Sequence, residues 1–142
     1  MLSQTAEYAL RAVVTLATEP DNPRTAYDIA RESKVPIDYL SKVLNSLARA
    51  GIVTSQRGRG GGFRTVQPAT QLTVLEVVTA VDPLKRIRTC PLGLKAHGTN
   101  LCPLHRKLDD ALKSVEEAFA STTIESLVGE AFCEGDNCHV AA

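Results

Sequence analysis

Two cysteines and two histidines fall within sixteen residues, in a stretch that contains proline and glycine and shows no apolar periodicity. They are Cys90, His97, Cys102 and His105. Cysteine sulfur and histidine nitrogen suit zinc or iron–sulfur clusters and disfavour magnesium and calcium. The spacing is not that of a zinc finger, so a loop thiol with a surface histidine is the simpler alternative. We interpret the four residues as a candidate metal or cluster site.

The start of a helix should bring two of these residues together. Pro103 suits the first position of a helix, which places Cys102 just before it and His105 one turn on. The positive end of the helix favours the thiolate that binds metal. No orienting acid or oxyanion-binding group accompanies the pair, which argues against an enzyme. Cys133 and Cys138, in the C-terminal tail, are interpreted as incidental thiols rather than as a second chelate.

A second set of functional residues is the glycine-rich segment 56–64, QRGRGGGFR. Glycines allow a hairpin tip to adopt positive φ and to approach another surface closely. Its three arginines make the predicted hairpin cationic, and a thin cationic hairpin suits the grooves and phosphates of DNA. The segment lacks the Gly-Lys-Ser/Thr ending of a nucleotide-binding loop.

The helix predicted before this hairpin, residues 36–49, has one apolar side and one polar side. Short polar side chains at the centre of its outer face can reach base edges in the major groove. Nearby hydroxyl groups and the arginines of the hairpin can bind phosphates or the minor groove. The residues that we expect to contact DNA are Thr25, Tyr39, Ser41, Lys42, Asn45, Arg57, Arg59 and Gly60.

The order of predicted elements indicates a mainly α fold, a winged helix-turn-helix DNA-binding domain followed by a long C-terminal dimerisation helix. Capping patterns begin helices at Thr25, at Thr73 with Glu76, and at Thr122 with Glu125. The predicted organisation is a DNA-binding domain (1–83), a sensing loop (84–102), the long helix with a short following helix (103–128), and a loose tail (129–142).

The long helix carries apolar residues at close to heptad spacing, which predicts a homodimer. Packing of this face on its own domain is the alternative. A two-fold dimer would present two recognition helices to a pseudo-palindromic site in double-stranded DNA.

Charge is unevenly distributed along the 142 residues, although the formal net charge is zero. Residues 1–66 carry nine Lys/Arg and six Asp/Glu, whereas residues 67–142 carry seven and ten. No carboxylate occurs from Tyr39 to Leu75, which predicts a basic face in that region. The N-terminus does not read as a signal peptide and no apolar run is long enough for a membrane helix, so we expect a cytoplasmic protein with reduced thiols and no membrane partner.

Several motifs together resemble the Rrf-two family of bacterial transcription regulators over nearly the whole chain. The motifs are EYALR (7–11), YLSKVL (39–44), AGIV (50–53), RGRGGGF (57–63) and CPLH (102–105). The resemblance implies a homodimer whose long helices cross. It also implies an iron–sulfur cluster near the dimer interface that senses cluster supply, redox state or nitric oxide.

The resemblance also implies a ligand set. Cys90 and Cys102 match the outer two of the family's three cysteines, while the middle position is Ala96, beside His97. His105 matches a histidine ligand of some members, and Glu7 matches an acidic ligand that other members take from the partner subunit. The missing cysteine favours a 2Fe–2S cluster over a 4Fe–4S cluster.

Two kinds of alternative remain at this point. Zinc, direct cysteine oxidation or a protein partner could control the same DNA-binding regulator without a cluster. A metal-binding adaptor that never contacts DNA is a different class of function, and the carboxylate-free stretch from Tyr39 to Leu75 argues against it.

Overall fold

The computed structural model describes residues 2–87 and 102–128 of the chain. Its elements are α1 (Gln4–Thr18), α2 (Ala26–Ser33), α3 (Ile37–Arg49), β1 (Val53–Gln56), β2 (Gly62–Thr65), α4 (Val74–Val81), α5 (Pro103–Ser121) and α6 (Ile124–Val128). The candidate ligands Cys90 and His97 and the thiols of Cys133 and Cys138 lie outside the described residues. None of the helices described is both long and apolar enough to span a bilayer.

Polar side chains cap α1, α2, α4 and α6, whereas α3 and α5 begin without a side-chain cap. The predicted capping box of Thr73 and Glu76 is present at the start of α4. Thr25 caps α2 by accepting from the Asp28 amide at 3.2 Å, but the Asp28 carboxylate accepts from the Thr25 hydroxyl. This cap therefore differs from the reciprocal box that was expected.

The predicted cap of the last helix, α6, is wrong by one residue. The Ser126 amide donates to the Thr123 hydroxyl, while the Thr122 hydroxyl donates to a carbonyl of α5, that of Ala118. Glu125 stands three residues after Thr122 and favours a capping box there, but Thr123 forms the cap with the Ser126 amide.

The recognition helix α3 begins and ends close to its predicted bounds. Pro36 is the residue before the helix rather than its first residue. Gly51 follows the last turn with φ +77°, the left-handed conformation that glycine adopts without a steric penalty. The strands β1 and β2 flank the glycine-rich tip, as the predicted hairpin requires.

The core is aliphatic and is organised around α1, which packs against α2, α3, α4 and α6. Leu16 of α1, Leu40 and Leu44 of α3, Val77 of α4 and Ile124 of α6 are almost fully buried. Burying one such side chain contributes about 1.5–3 kcal/mol. Because α6 packs on α1, the last described residues contact the same core as α2, α3 and α4.

The wing is a two-stranded antiparallel sheet joined by a third segment. Val53 pairs with Thr65 and Gln56 with Gly62. Arg24 then pairs with Phe63, whose amide donates to the Arg24 carbonyl at 2.7 Å while the Arg24 amide donates to the Phe63 carbonyl at 3.0 Å. This backbone pairing fixes the wing to the connection between α1 and α2.

The side chain of Arg24 is also buried and its charge is neutralised. It donates to the carboxylate of Glu32, at the end of α2, and lies 3.4 Å from a carboxylate oxygen of Glu19, just after α1. The Asn22 amide and the Arg24 guanidinium hold the pKa of Glu19 below its ordinary value of 4.5. Arg24 therefore connects two helices and the wing instead of belonging to the basic surface.

Substitution of Gly62 should be far more damaging than substitution of another glycine in the same hairpin. A Cβ atom at Gly62, where φ is +147°, would lie 2.5 Å from the Arg24 carbonyl oxygen. Gly60, with φ +72°, has open space around it. We expect G62A to lower the free energy of unfolding by about 3 kcal/mol or more and G60A by about 1 kcal/mol, measured by urea denaturation. Equal losses would contradict the close approach at Arg24.

Acid should weaken the Arg24 connection through Glu19. Because the pKa of Glu19 is lowered in the folded protein, its contribution to stability is complete above its ordinary value of 4.5. It is lost as the pH falls through the lower folded value. The stability difference between the wild type and E19Q, measured by urea unfolding from pH 7 to pH 3, should therefore shrink below pH 4.5. A difference that stayed constant with pH would contradict this role.

Candidate nucleic-acid interface and thiol–histidine pair

The outer face of α3 has the geometry of a recognition surface. Leu40, Val43, Leu44 and Leu47 turn inward and are buried. The predicted base-reading residues on the opposite side, Ser41, Lys42 and Asn45, are all exposed. The Ser41 hydroxyl donates to the Ile37 carbonyl at 3.2 Å, which leaves its oxygen able to accept from a base.

Tyr39 is held at the start of this helix by an aromatic contact. Its ring lies edge-on to the ring of Tyr8, with the centroids 5.8 Å apart, and the Tyr8 hydroxyl accepts from the Gln4 side-chain amide at 2.8 Å. Tyr39 is half exposed. The contact orients a phenol at the edge of the recognition face, a position suited to a phosphate oxygen.

Thr25, which caps α2, and Tyr27, within α2, differ in how well they could contact DNA. The Thr25 hydroxyl is committed to its own cap and lies against the Asp28 carboxylate, 2.8 Å away, which would repel a phosphate. Tyr27 was not among the predicted contacts, yet its side chain is 77% exposed. The sequence offered no signal for Tyr27, because an aromatic residue near the start of a helix is more often buried.

The wing tip is exposed and its shape depends on glycine. Gly58 and Gly60 have positive φ, and the Gly61 amide donates to the Gly58 carbonyl at 3.0 Å to close the turn. A Cβ atom at Gly61 would lie 2.2 Å from a backbone oxygen of Gln56. The predicted DNA contacts at this tip, Arg57, Arg59 and Gly60, are all exposed. A narrow tip with two exposed guanidinium groups can enter a groove or bind phosphates.

Cys102 and His105 come together at the start of α5, as predicted. Cys102 is the residue before the helix, and its Sγ lies 2.9 Å from Nδ1 of His105. His105 is only 7% exposed, although it is polar. The pair shares one proton, either from the thiol to a neutral imidazole or from the ring N–H to a thiolate.

The same two atoms could bind one metal ion. Typical zinc–sulfur and zinc–nitrogen bonds at a tetrahedral angle require the two donors to lie about 3.5 Å apart. Exchanging the shared proton for a metal would therefore widen the Cys102–His105 distance by a side-chain rotation. The donor chemistry and the separation fit a soft metal or an iron of a cluster.

The other candidate ligands are not gathered at this pair within one protomer. Over residues 2–87 and 102–128, no three His, Cys, Asp or Glu side chains are grouped to hold a metal. Glu7 lies exposed in the first turn of α1 and does not join Cys102 and His105. The complete ligand set predicted from the sequence thus stays a prediction.

The apolar side of α5 is covered at one end only. Phe119, near its C-terminus, packs against the core. Leu104 and Leu108, in its first two turns, are 62% and 47% exposed. Both interpretations of this helix therefore apply, to different halves: its end packs on its own domain, while its beginning leaves leucines uncovered beside Cys102.

The chain is similar to known transcriptional regulators. The family model described as "Rrf2: Iron-dependent Transcriptional regulator" matches residues 2–130. A protein of Aquifex aeolicus (strain VF5) that bears the name of an HTH-type transcriptional regulator is 28% identical over 131 residues, covering 90% of this chain and 91% of that protein.

Solved structures share the fold. CymR (YrzC), the global cysteine regulator of B. subtilis, superposes with a TM-score of 0.75 at 23% identity, covering 91% of this chain and 96% of that chain. T. potens IscR superposes with a TM-score of 0.76 at 19% identity, covering 95% and 93%. These two likenesses concern the fold alone, whereas the family match spans most of the sequence. The chain belongs to the Rrf2 family of DNA-binding transcriptional regulators, and it is a regulator rather than an enzyme.

Proposed function

We propose that the protein is a homodimeric repressor that binds a pseudo-palindromic operator and whose affinity depends on an iron–sulfur centre at the start of α5. One observation carries the DNA-binding interface. The exposed residues Ser41, Lys42 and Asn45 of α3 and the exposed, glycine-dependent wing tip all belong to the segment from Tyr39 to Leu75, which contains no carboxylate.

In this proposal the two parts of the interface have separate roles. Ser41, Lys42 and Asn45 read base edges in the major groove. Arg57 and Arg59 enter the adjacent minor groove or bind phosphates, with Gly60 permitting close approach. Tyr39 adds a phosphate contact, and Thr25, beside Asp28, contributes the least of the predicted residues.

Dimerisation follows from the exposed half of α5. Transcription regulators of this family bind DNA and act as dimers. Leu104 and Leu108 are the apolar residues that such an interface would cover. A two-fold pair of recognition helices then matches two half-sites of one operator.

The proposed sensing centre uses Cys102 and His105 together with Cys90, and with His97 or the partner subunit's Glu7 as the fourth donor. The description of the family as iron-dependent and the soft donors at Cys102 and His105 support this assignment. A set with two cysteines and a nitrogen or oxygen donor suits a 2Fe–2S cluster better than a 4Fe–4S cluster. When bound, such a cluster would supply one-electron redox chemistry and reactivity towards oxygen and nitric oxide.

Direct oxidation of Cys102 is the second candidate mechanism. An imidazole that accepts the proton of a neighbouring thiol leaves a nucleophilic thiolate, and the 2.9 Å contact with His105 provides this arrangement without any metal. Zinc at the same pair is a third possibility that elemental analysis separates from the other two.

Substitution of the proposed cationic contacts should weaken operator binding and its dependence on salt. In a dimer, R59A removes two phosphate contacts and should reduce the slope of log affinity against log salt by about 2. K42A should lower affinity for the operator more than for unrelated DNA, because it acts at base edges. The matched control is K113A, which removes an exposed lysine of α5 that pairs with Glu117. Unchanged affinity and slope in both R59A and K42A would contradict the interface.

Purification without oxygen should yield coloured protein that contains iron and sulfide in equal amounts. C102S and H105A should each lower both contents and the visible absorbance, because they remove adjacent ligands. C138S serves as the control, since that thiol is outside the proposed set. A colourless, iron-free wild type that binds its operator at full strength would reject the cluster, and zinc or oxidised Cys102 in that protein would support the alternatives.

A further inference from the structure

The connection after α4 is fixed to α5 by a single arginine. Arg86 donates from Nε and from a terminal nitrogen to the two oxygens of Asp109, at 2.7 Å and 2.6 Å. The Ile87 amide donates to the same carboxylate at 2.9 Å, and Glu116 lies 3.8 Å from the other terminal nitrogen of Arg86. We name this arrangement the Arg86–Asp109 clasp.

The clasp is a strong contact by its geometry. Bidentate pairing of guanidinium and carboxylate is among the most directional polar interactions in proteins. Asp109 is 16% exposed and Arg86 33% exposed, so water competes only in part for these bonds. The hydrogen bonds to Asp109 raise the pKa of Arg86 above its ordinary value, so the guanidinium keeps its charge.

The clasp connects two parts of the molecule, the DNA-binding unit and the first turns of α5. On one side, Arg86 follows α4, which packs against α1 and α3 of the DNA-binding unit. On the other side, Asp109 lies one helical turn after His105, and residues four apart occupy the same face of a helix. The clasp therefore joins the turns of α5 that carry Cys102 and His105 to the unit that carries the recognition helix.

α5 also packs against α4, and a further attachment lies at its C-terminal end. The Val74 amide donates to the Thr122 carbonyl at 2.9 Å, and the Ile124 amide donates to the Leu72 carbonyl at 2.8 Å. These bonds fix the C-terminal end of α5, and Asp109 lies more than three helical turns away from them. The clasp adds a directional attachment near the start of the helix.

We propose that Arg86 and Asp109 are a positioning pair that transmits a change at Cys102 and His105 to the DNA-binding unit. This inference rests on the proposed function, in which the state of that site controls operator affinity. A change in the first turn of α5 moves Asp109 with the helix, and the two bonds to Arg86 carry the movement to α4. Without the clasp, the first turns of α5 can move while the recognition helices keep their spacing.

The test compares operator affinity before and after the sensing site is perturbed in the full-length dimer. Protein purified without oxygen is measured first and again after treatment with hydrogen peroxide, which attacks either a cluster or the free thiol. For the wild type we expect affinity to change about tenfold or more, within the range of known allosteric couplings. For R86Q and D109N the change should fall to within about twofold, while R86K, which keeps one ion pair, should lie between.

Two controls make the outcome decisive. K113Q removes an exposed lysine from the same helix and should keep the wild-type response. Hydrogen exchange at the Ile87 amide should be slow in the wild type and fast in D109N, which verifies that the clasp has opened in a folded protein. R86Q must retain the iron content and visible absorbance of the wild type.

Failure of the clasp and failure of the proposed function give different results. If the wild type responds to peroxide and both R86Q and D109N respond equally strongly, the positioning role is wrong and the sensing function stands. If the wild type itself does not respond, the proposed control by the Cys102 site is wrong, and the clasp has no signal to transmit. A variant that does not fold leaves R86K to decide, by the same comparison.

Discussion

The whole DNA-binding surface depends on how closely two pieces of backbone can approach. Arg24 and Phe63 exchange hydrogen bonds across a contact that leaves no room for a side chain at Gly62. This approach fixes the wing to the chain between α1 and α2, and the core around α1 then fixes the wing relative to α3. The spacing between a groove-reading helix and a cationic tip is thus determined by one glycine in the sheet, and the exposed residues only supply the chemistry.

Local patterns in the sequence predict the elements well. The alternation of buried leucines and exposed polar residues in α3, the capping box at Thr73 and the left-handed Gly51 each leave a signature within a few residues. The same holds for Cys102 and His105, because residues three positions apart at the start of a helix lie about one turn from each other. At the last helix the pattern was misleading, because Glu125 indicates Thr122 as the cap whereas Thr123 forms it.

Contacts between distant residues were beyond the sequence. Arg24 was counted among the cations of the basic half, yet Glu19 and Glu32 enclose it, and only folding brings these three together. Arg86 and Asp109 are 23 residues apart and carry no motif. Tyr27 carries no motif, and its exposure appears only in the folded protein. The fourth ligand of the proposed centre belongs to the same class of problem, since it depends on residues brought together from elsewhere in the chain or from a partner.

The enclosure of Arg24 has a consequence for how tightly one protomer can hold DNA. Glu19 and Glu32 neutralise the charge of Arg24, so a single protomer presents few exposed cations to DNA. We therefore expect one protomer alone to have low affinity for DNA, and salt to lower that affinity readily. Useful occupancy must then come from avidity: once one unit docks, the second experiences a high effective concentration of its half-site. A small misalignment of the two protomers would remove almost all of the affinity gained by binding both half-sites, so a small displacement can dissociate the dimer from DNA.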